Sequence, residues 1–219
     1  MGKLVIAIDG PAGAGKSTVA KALAKELNLK YLDTGAMYRA LALAASRSGL
    51  TATDGDQAAH LATSLDISFG EGHPPSVLLD GEDVSGLIRT PEIGELASAL
   101  STHSGVRQAL VARQQAMVAE GGYTLEGRDV TTVVAPNAQL KIYLTASLEE
   151  RTKRRFLELG AGAPQFDEMR RQIQTRDHRD ITREDSPLSV APDAHIIESG
   201  CMSVEEVVQK IKWLIPIED

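Results

Sequence analysis

After Met1-Gly2-Lys3 the chain enters an unbroken apolar run, Leu4-Val5-Ile6-Ala7-Ile8, closed by Asp9-Gly10. An apolar run that short and without alternation predicts a strand buried on both faces. From Thr18 to Lys25 the apolar residues fall at helical spacing, and Lys30–Asp33 reads as a second strand followed by a helix over 36–46. Leu65–Phe69 and Ser76–Leu79 are strand-like, Asp80-Gly81 is a hairpin signal, and Val84–Ile88 is expected to complete a small antiparallel sheet. Residues 93–119 predict two helices with a break at Gly105. Tyr123–Glu126 and Lys141–Thr145 are further strands, the first ending at Gly127-Arg128-Asp129. Ser147 caps a charged helix from Leu148 to Leu159, which Gly160–Pro164 interrupts. A helix over 166–180, a strand over 194–198 and an amphipathic helix over 204–214 close the chain.

Strands alternating with helices imply an α/β fold whose parallel sheet is covered on both faces. The 219 residues fit one domain, with residues 60–95 as an inserted antiparallel subdomain. Hydrophobic content of 42% and charged content of 24% are ordinary for a globular chain. No apolar run is long enough to span a bilayer, and the early first strand leaves no room for a signal peptide, so a cytoplasmic address is expected. Cys201 stands alone, which excludes an internal disulfide and a cysteine-based zinc site.

The strongest chemical signal is Gly10-Pro11-Ala12-Gly13-Ala14-Gly15-Lys16-Ser17, which matches the phosphate-binding pattern G-x-x-x-x-G-K-[ST] at each fixed position, between a predicted strand and a predicted helix. Glycines let backbone amides close around phosphate oxygens, and the helix that follows adds its positive end. Lys16 supplies a mobile cation, and Ser17 offers a hydroxyl to Mg²⁺. The pattern implies a bound nucleoside triphosphate, with Gly10 through Ser17 and the adjoining Thr18 as its cradle.

A net charge of −7 argues against a general nucleic-acid binder, so anion binding must be local. The cations are clustered to suit: Arg151, Lys153, Arg154 and Arg155 in one group, Arg170, Arg171, Arg176, Arg179 and Arg183 in another. His178-Arg179-Asp180 superficially matches the protein-kinase catalytic loop, but Asp185 stands where that motif needs Asn, and no D-F-G follows. No Asn-Lys-x-Asp guanine-reading element is present. His60, His73, His103 and His195 have no metal-ligand spacing and read as structural.

Four further segments carry a specific resemblance. Tyr31-Leu32-Asp33-Thr34-Gly35-Ala36-Met37-Tyr38-Arg39, Glu126-Gly127-Arg128-Asp129, Glu150 through Arg155, and Arg176 through Arg183, taken with the phosphate loop, resemble bacterial-type cytidylate kinases from end to end. The resemblance implies the P-loop NTPase fold, a three-layer α/β/α arrangement with an enlarged monophosphate-binding insertion and a short lid over 151–166. It implies phosphoryl transfer from ATP to CMP or dCMP with Mg²⁺, by a chain that is typically a monomer. Thr34 and Arg39 would contact the monophosphate nucleotide, and Ser98, Arg107 and Asp129 would meet the cytosine. Arg128 and Arg183 would hold the acceptor phosphate, with Arg176 and Asp180 at the ribose or the phosphates. Arg151, Arg154 and Arg155 are the lid candidates, the first assigned to ATP, and Glu126 or Asp33 would orient Mg²⁺ through water.

Cytosine offers a donor amine and two acceptors, which a carboxylate and an arginine complement. The base-reading residues disfavour another small-molecule P-loop kinase, such as one acting on shikimate. A nucleotide-dependent switch without turnover is the reading from a different class. Two departures from the resembled pattern stand out. Val130-Thr131 replaces a bulky apolar residue followed by glycine, and Glu198-Ser199-Gly200-Cys201 replaces Asp-Ser/Thr-Thr on the adenine side.

Overall fold

Strand β1 (Lys3–Asp9) feeds two cores at once, because Val5 and Ala7 point into one and Ile6 and Ile8 into the other. That is the two-residue period of a strand covered on both faces. The computed structural model describes residues 3–160 and 164–216. In chain order β1 is followed by α1 (Lys16–Glu26), β2 (Lys30–Asp33), α2 (Thr34–Arg47), α3 (Gly55–Ser64), β3 (Ile67–Phe69), β4 (Val77–Leu79) and β5 (Glu82–Asp83). Next come a 3-10 turn (Leu87–Arg89), α4 (Pro91–Leu100), α5 (Ser104–Val118), β6 (Gly121–Glu126) and a π turn (Val130–Val134). The chain ends with β7 (Leu140–Thr145), α6 (Leu148–Leu159), α7 (Phe166–Thr182), β8 (His195–Glu198) and α8 (Val204–Trp213).

The main sheet is parallel, in the order β2-β6-β1-β7-β8, and the small sheet β3-β4-β5 is antiparallel. Helices α1 and α8 cover one face through Leu23, Val207 and Ile211, which pack on Ile142, Leu144 and Ile197. On the other face α2, α4 and α5 bring Leu41, Leu100 and Leu110 against Leu32 and Leu125, and the small sheet adds Ile67 and Leu79 to the same core. The expected three-layer parallel architecture with an antiparallel insertion is therefore the observed one. Parallel β1 lies between β6 and β7, so its carboxyl end opens beside theirs at the edge of the sheet where such folds bind ligands.

Three local expectations need correction. The third strand of the small sheet is Glu82–Asp83, not Val84–Ile88. Val84 and Ile88 are fully buried, and their segment turns into a 3-10 element against the first core instead of continuing an exposed edge. The break between the two helices falls at Ser101–His103, while Gly105 lies inside the first turn of α5, where a Cβ would come 2.9 Å from that of Ala59. Helix α3 has no counterpart in the apolar pattern. Only Gly55, Ala58 and Ala62 are buried on it, because Gly55 lies against His103 and Ala59 against Gly105 of α5, leaving space for small residues alone. The hairpin at Asp80-Gly81 is as expected, with φ of 48° and 83° at its two central residues.

Candidate active site

The phosphate loop leaves β1 at Gly10 and enters α1 at Lys16. Gly10 has φ +148°, and a Cβ there would lie 1.9 Å from the Leu144 carbonyl oxygen, so the loop turns against β7 only because the residue is glycine. Gly15 precedes α1 with φ 92° and no side-chain cap, leaving the first amides of the helix to an incoming anion. Lys16 is buried, and its Nζ donates to the Pro11 carbonyl at 2.8 Å. Burial, with Arg128 and Arg176 nearby, pulls its pKa down to about 7 against the opposing pull of Glu126 and Asp9. Thr18 stands exposed on the first turn of α1.

Ser17 Oγ donates to Glu126 Oε1 at 2.5 Å, and the Tyr31 hydroxyl donates to the same oxygen at 3.2 Å. Burial and the Glu126 carboxylate push the Tyr31 phenol far above its usual value. Among the described residues no cluster of three or more His, Cys, Asp or Glu could hold a metal by itself. A hydroxyl beside one carboxylate suits Mg²⁺, which takes one or two protein oxygens and completes its shell from phosphates and water. Asp33, the other carboxylate considered, accepts the Ala36 amide at 2.8 Å and pairs with Arg39 at 2.8 Å, so both of its oxygens are engaged.

Arginines gather in front of Lys16. Arg128 donates from Nε to Asp180 Oδ2 at 2.8 Å, and although burial opposes its charge, Asp180 together with Glu126 and Asp177 holds its pKa above the usual value. Arg176, on α7, has a buried Nε without a partner among the described residues, and burial together with the Arg128 charge lowers its pKa to about 10. Asp180 is held low despite its burial by Arg128, Arg176 and Arg183. Arg39 also leaves its Nε buried and unpartnered. Cations that depress one another's pKa in a buried cleft are the electrostatic complement of a polyanion. Thr34, expected to meet the nucleotide, donates its hydroxyl to the Glu126 carbonyl at 2.7 Å at the rim of this cleft.

Beyond Asp180 and Arg183, Arg107 and Asp129 form a buried ion pair, with the Arg107 guanidinium 5.7 Å from the Tyr38 ring centroid. Arg183 approaches Asp129 to 3.7 Å and donates twice to the Ser186 carbonyl, at 2.8 and 2.5 Å. Burial, with Arg107 close by, lowers its pKa. Arg107 Nε and the Tyr38 hydroxyl are buried with no partner among the described residues, and burial pushes the Tyr38 phenol up to about 12. Ser98 Oγ accepts from Arg179 at 2.7 Å, and Arg179 pairs with Glu95 at 2.7 Å. Arg179 had no assigned role from the sequence, although Arg176, Arg179 and Arg183 recur at the spacing of one helix face.

The three lid candidates occupy different places. Arg151 is spent behind the phosphate loop, donating to the carbonyls of Ala146 at 3.0 Å and Ala12 at 2.9 Å and to Asp177 at 2.5 Å. Asp177, unremarked in the sequence, also accepts the Ala12 amide at 2.9 Å and so braces the loop from α7. Arg154 reaches the Ser199 carbonyl at 2.6 Å and the Ala14 carbonyl at 3.3 Å, tying α6 to the loop after β8. Arg155 pairs with Glu158 at the surface at 2.8 Å. Of the expected lid at 151–166, residues 161–163 lie outside the described residues. A hollow beside Arg154 is lined by Ala146, Ser147, Glu198, Gly200, Cys201 and Met202.

The family model described as Cytidylate kinase matches residues 6–216. A cytidylate kinase of Geobacter sp. (strain M21) is 48% identical over 209 residues, covering 94% of this chain and 90% of that protein. One from Listeria welshimeri is 46% identical over 211 residues, covering 95% and 94% respectively. Among solved structures, shikimate kinase from Bacteroides thetaiotaomicron superposes with a TM-score of 0.52 at 13% identity, covering 98% of this chain and 99% of that one, a likeness of fold alone.

Proposed function

The chain belongs to the cytidylate kinase family, and from that premise we propose that it transfers the γ-phosphoryl group of ATP to CMP or dCMP, yielding CDP or dCDP. The observation that carries this reading is the set of buried, mutually repelling cations at Lys16, Arg128 and Arg176, joined through Asp180 and Arg183 to a separate buried Arg107–Asp129 pair. The first set suits two phosphate chains meeting end to end. The second suits a base with one donor and two acceptors.

In this reading the triphosphate rests on the amides of 10–17, with Arg154 and the hollow at 198–202 beside its nucleoside. Arg39, Arg128 and Arg183 hold the acceptor monophosphate, and Ser98, Arg107 and Asp129 read the base. Residues 60–95 form the region that encloses the monophosphate, and 151–166 the lid. Ser17 and Glu126 would hold Mg²⁺, which when bound neutralises charge on the phosphates. The acceptor phosphate has a second pKa near about 6 and is already deprotonated at neutral pH, so no general base is required. Catalysis then consists of aligning donor and acceptor and supplying positive charge where it accumulates, the work of Lys16, Arg128, Arg176 and Arg183. Closure over the phosphates keeps water from competing as acceptor. Every group assigned here comes from one chain, and a monomer is proposed. No described helix is long and apolar enough to cross a membrane.

The test is ADP release from ATP and Mg²⁺ in a coupled assay with CMP, dCMP, UMP, shikimate or no acceptor. Rapid turnover with CMP or dCMP alone is the expected result. Release independent of acceptor, or faster with shikimate, overturns the reading.

A further inference from the structure

Asp9 ends β1, one residue before the phosphate loop, and is completely buried. Its Oδ1 accepts the Val130 amide at 3.0 Å, and its Oδ2 accepts the Thr131 amide at 2.8 Å and the Thr131 hydroxyl at 2.6 Å. The first amides of a helical turn find no acceptor inside it, and the preceding residue ordinarily provides one from its side chain. Here that preceding residue is Asp129, which makes no side-chain cap because its carboxylate is turned to Arg107. A carboxylate from another strand caps the π turn in its place. Asp129 is thereby released to face Arg107 and Arg183, while its carbonyl closes the turn on Val133 at 2.8 Å.

We propose that Asp9 and Thr131 are a positioning pair for base selection, fixing the turn that presents Asp129 relative to the phosphate loop. The inference rests on the reading of Asp129 as the base-reading carboxylate. Two of the three bonds to Asp9 come from backbone amides, which most residues supply. The hydroxyl comes only from the side chain at 131, where this sequence departs from the glycine of the resembled pattern. A buried carboxylate depends on each donor it receives. Burial raises Asp9 to about 6, Thr131 and Val130 act against that rise, and Asp129 adds to it. Lys16 is the cation whose charge Asp9 supports.

The experiment compares the unmodified enzyme with Thr131→Val and Thr131→Ser, measuring kcat and KM for CMP, UMP and ATP from pH 5.5 to 8.5. Removing the hydroxyl should shrink the CMP-over-UMP preference in kcat/KM by about threefold or more, through the KM for CMP, with the KM for ATP changed less than about twofold. The acid limb of kcat/KM for CMP should move to higher pH, because an ionised Asp9 loses a donor. Thr131→Ser should restore both. A purely structural role would lower melting temperature without touching base preference. Unchanged preference in Thr131→Val, or a changed one that serine does not restore, overturns the inference. If the valine variant does not fold, Thr131→Ala removes the hydroxyl without adding bulk and is judged by the same readouts. An unmodified enzyme indifferent to CMP and UMP overturns the base-reading assignment itself, whereas a selective enzyme with an equally selective valine variant overturns only the positioning pair.

Discussion

The ammonium group of Lys16 is turned back onto its own loop, donating to the Pro11 carbonyl at 2.8 Å. Burial and two neighbouring arginines nevertheless leave it with a pKa of about 7 before any nucleotide arrives. A triphosphate should reverse the balance, so ATP binding at pH 8 is expected to take up a proton. Calorimetric titration in buffers of different ionisation enthalpy measures this directly. Lys16→Met should abolish the uptake and most of the turnover while keeping the fold, and proton release in the unmodified protein contradicts the prediction.

The same depressed pKa has a consequence for stability. A lysine whose folded pKa lies below its unfolded value of 10.5 binds more protons when unfolded over the interval between the two. Stability of the ligand-free protein from this group therefore rises as pH increases from about 7 toward 10, by on the order of 1 to 2 kcal/mol between pH 7 and 9. Denaturant titrations at those two pH values, compared with Lys16→Met, give the difference. The variant's curve should be flatter.

Asp180 offsets three arginines, and its carboxyl is held low by Arg128, Arg176 and Arg183 against burial. Replacing it by alanine leaves those charges facing one another, a loss on the order of 3 kcal/mol for a broken buried pair. Inorganic phosphate or CMP should restore part of the lost melting temperature, because an anion takes over the neutralising role. Equal destabilisation with and without phosphate would show that Asp180 acts by packing alone. The contribution is present at neutral pH and falls away as pH drops through the depressed carboxyl value.

Arg154 and Arg155 are adjacent in sequence and face different partners, so their single variants should separate. Arg154 bonds Ser199 and Ala14 beside the phosphate loop, and Arg154→Ala is expected to raise the KM for ATP about tenfold with a smaller effect on kcat. Arg155, paired among the described residues with exposed Glu158, is placed to act on the transferring group, and Arg155→Ala should lower kcat with both KM values nearly unchanged. Steady-state kinetics on the two proteins decide between this division and a common role.

For the base, Asp129→Asn keeps the shape of the side chain and loses its charge opposite Arg107. Uracil presents an acceptor where cytosine presents an amine, so the intact pair should favour CMP over UMP by at least about tenfold, and the variant should lose much of that ratio by using CMP poorly. Selectivity left intact in a folded Asp129→Asn protein removes Asp129 from base recognition.

Much of this protein is determined along the chain itself. The parallel sheet follows from short apolar runs alternating with helical spacing, and the phosphate loop from an octapeptide whose glycines have backbone tasks that no other residue performs, as Gly10 against Leu144 demonstrates. Local physics sufficed because each signal lies within a few residues. Helix α3 escaped because its buried face is made of Gly55, Ala58 and Ala62, which carry almost no hydrophobic signal and are chosen for their closeness to α5. The partners of the site residues were likewise invisible. That Arg151 is spent on Ala12 and Asp177, that Arg179 reaches Ser98, and that Asp9 caps a turn 121 residues away depend on which strand ends and helices the fold brings together. A charged side chain in the sequence has only its type. Burial and the neighbouring charges, set by tertiary packing, decide whether it stays ionised, what it holds, and which of its atoms remain free for a ligand.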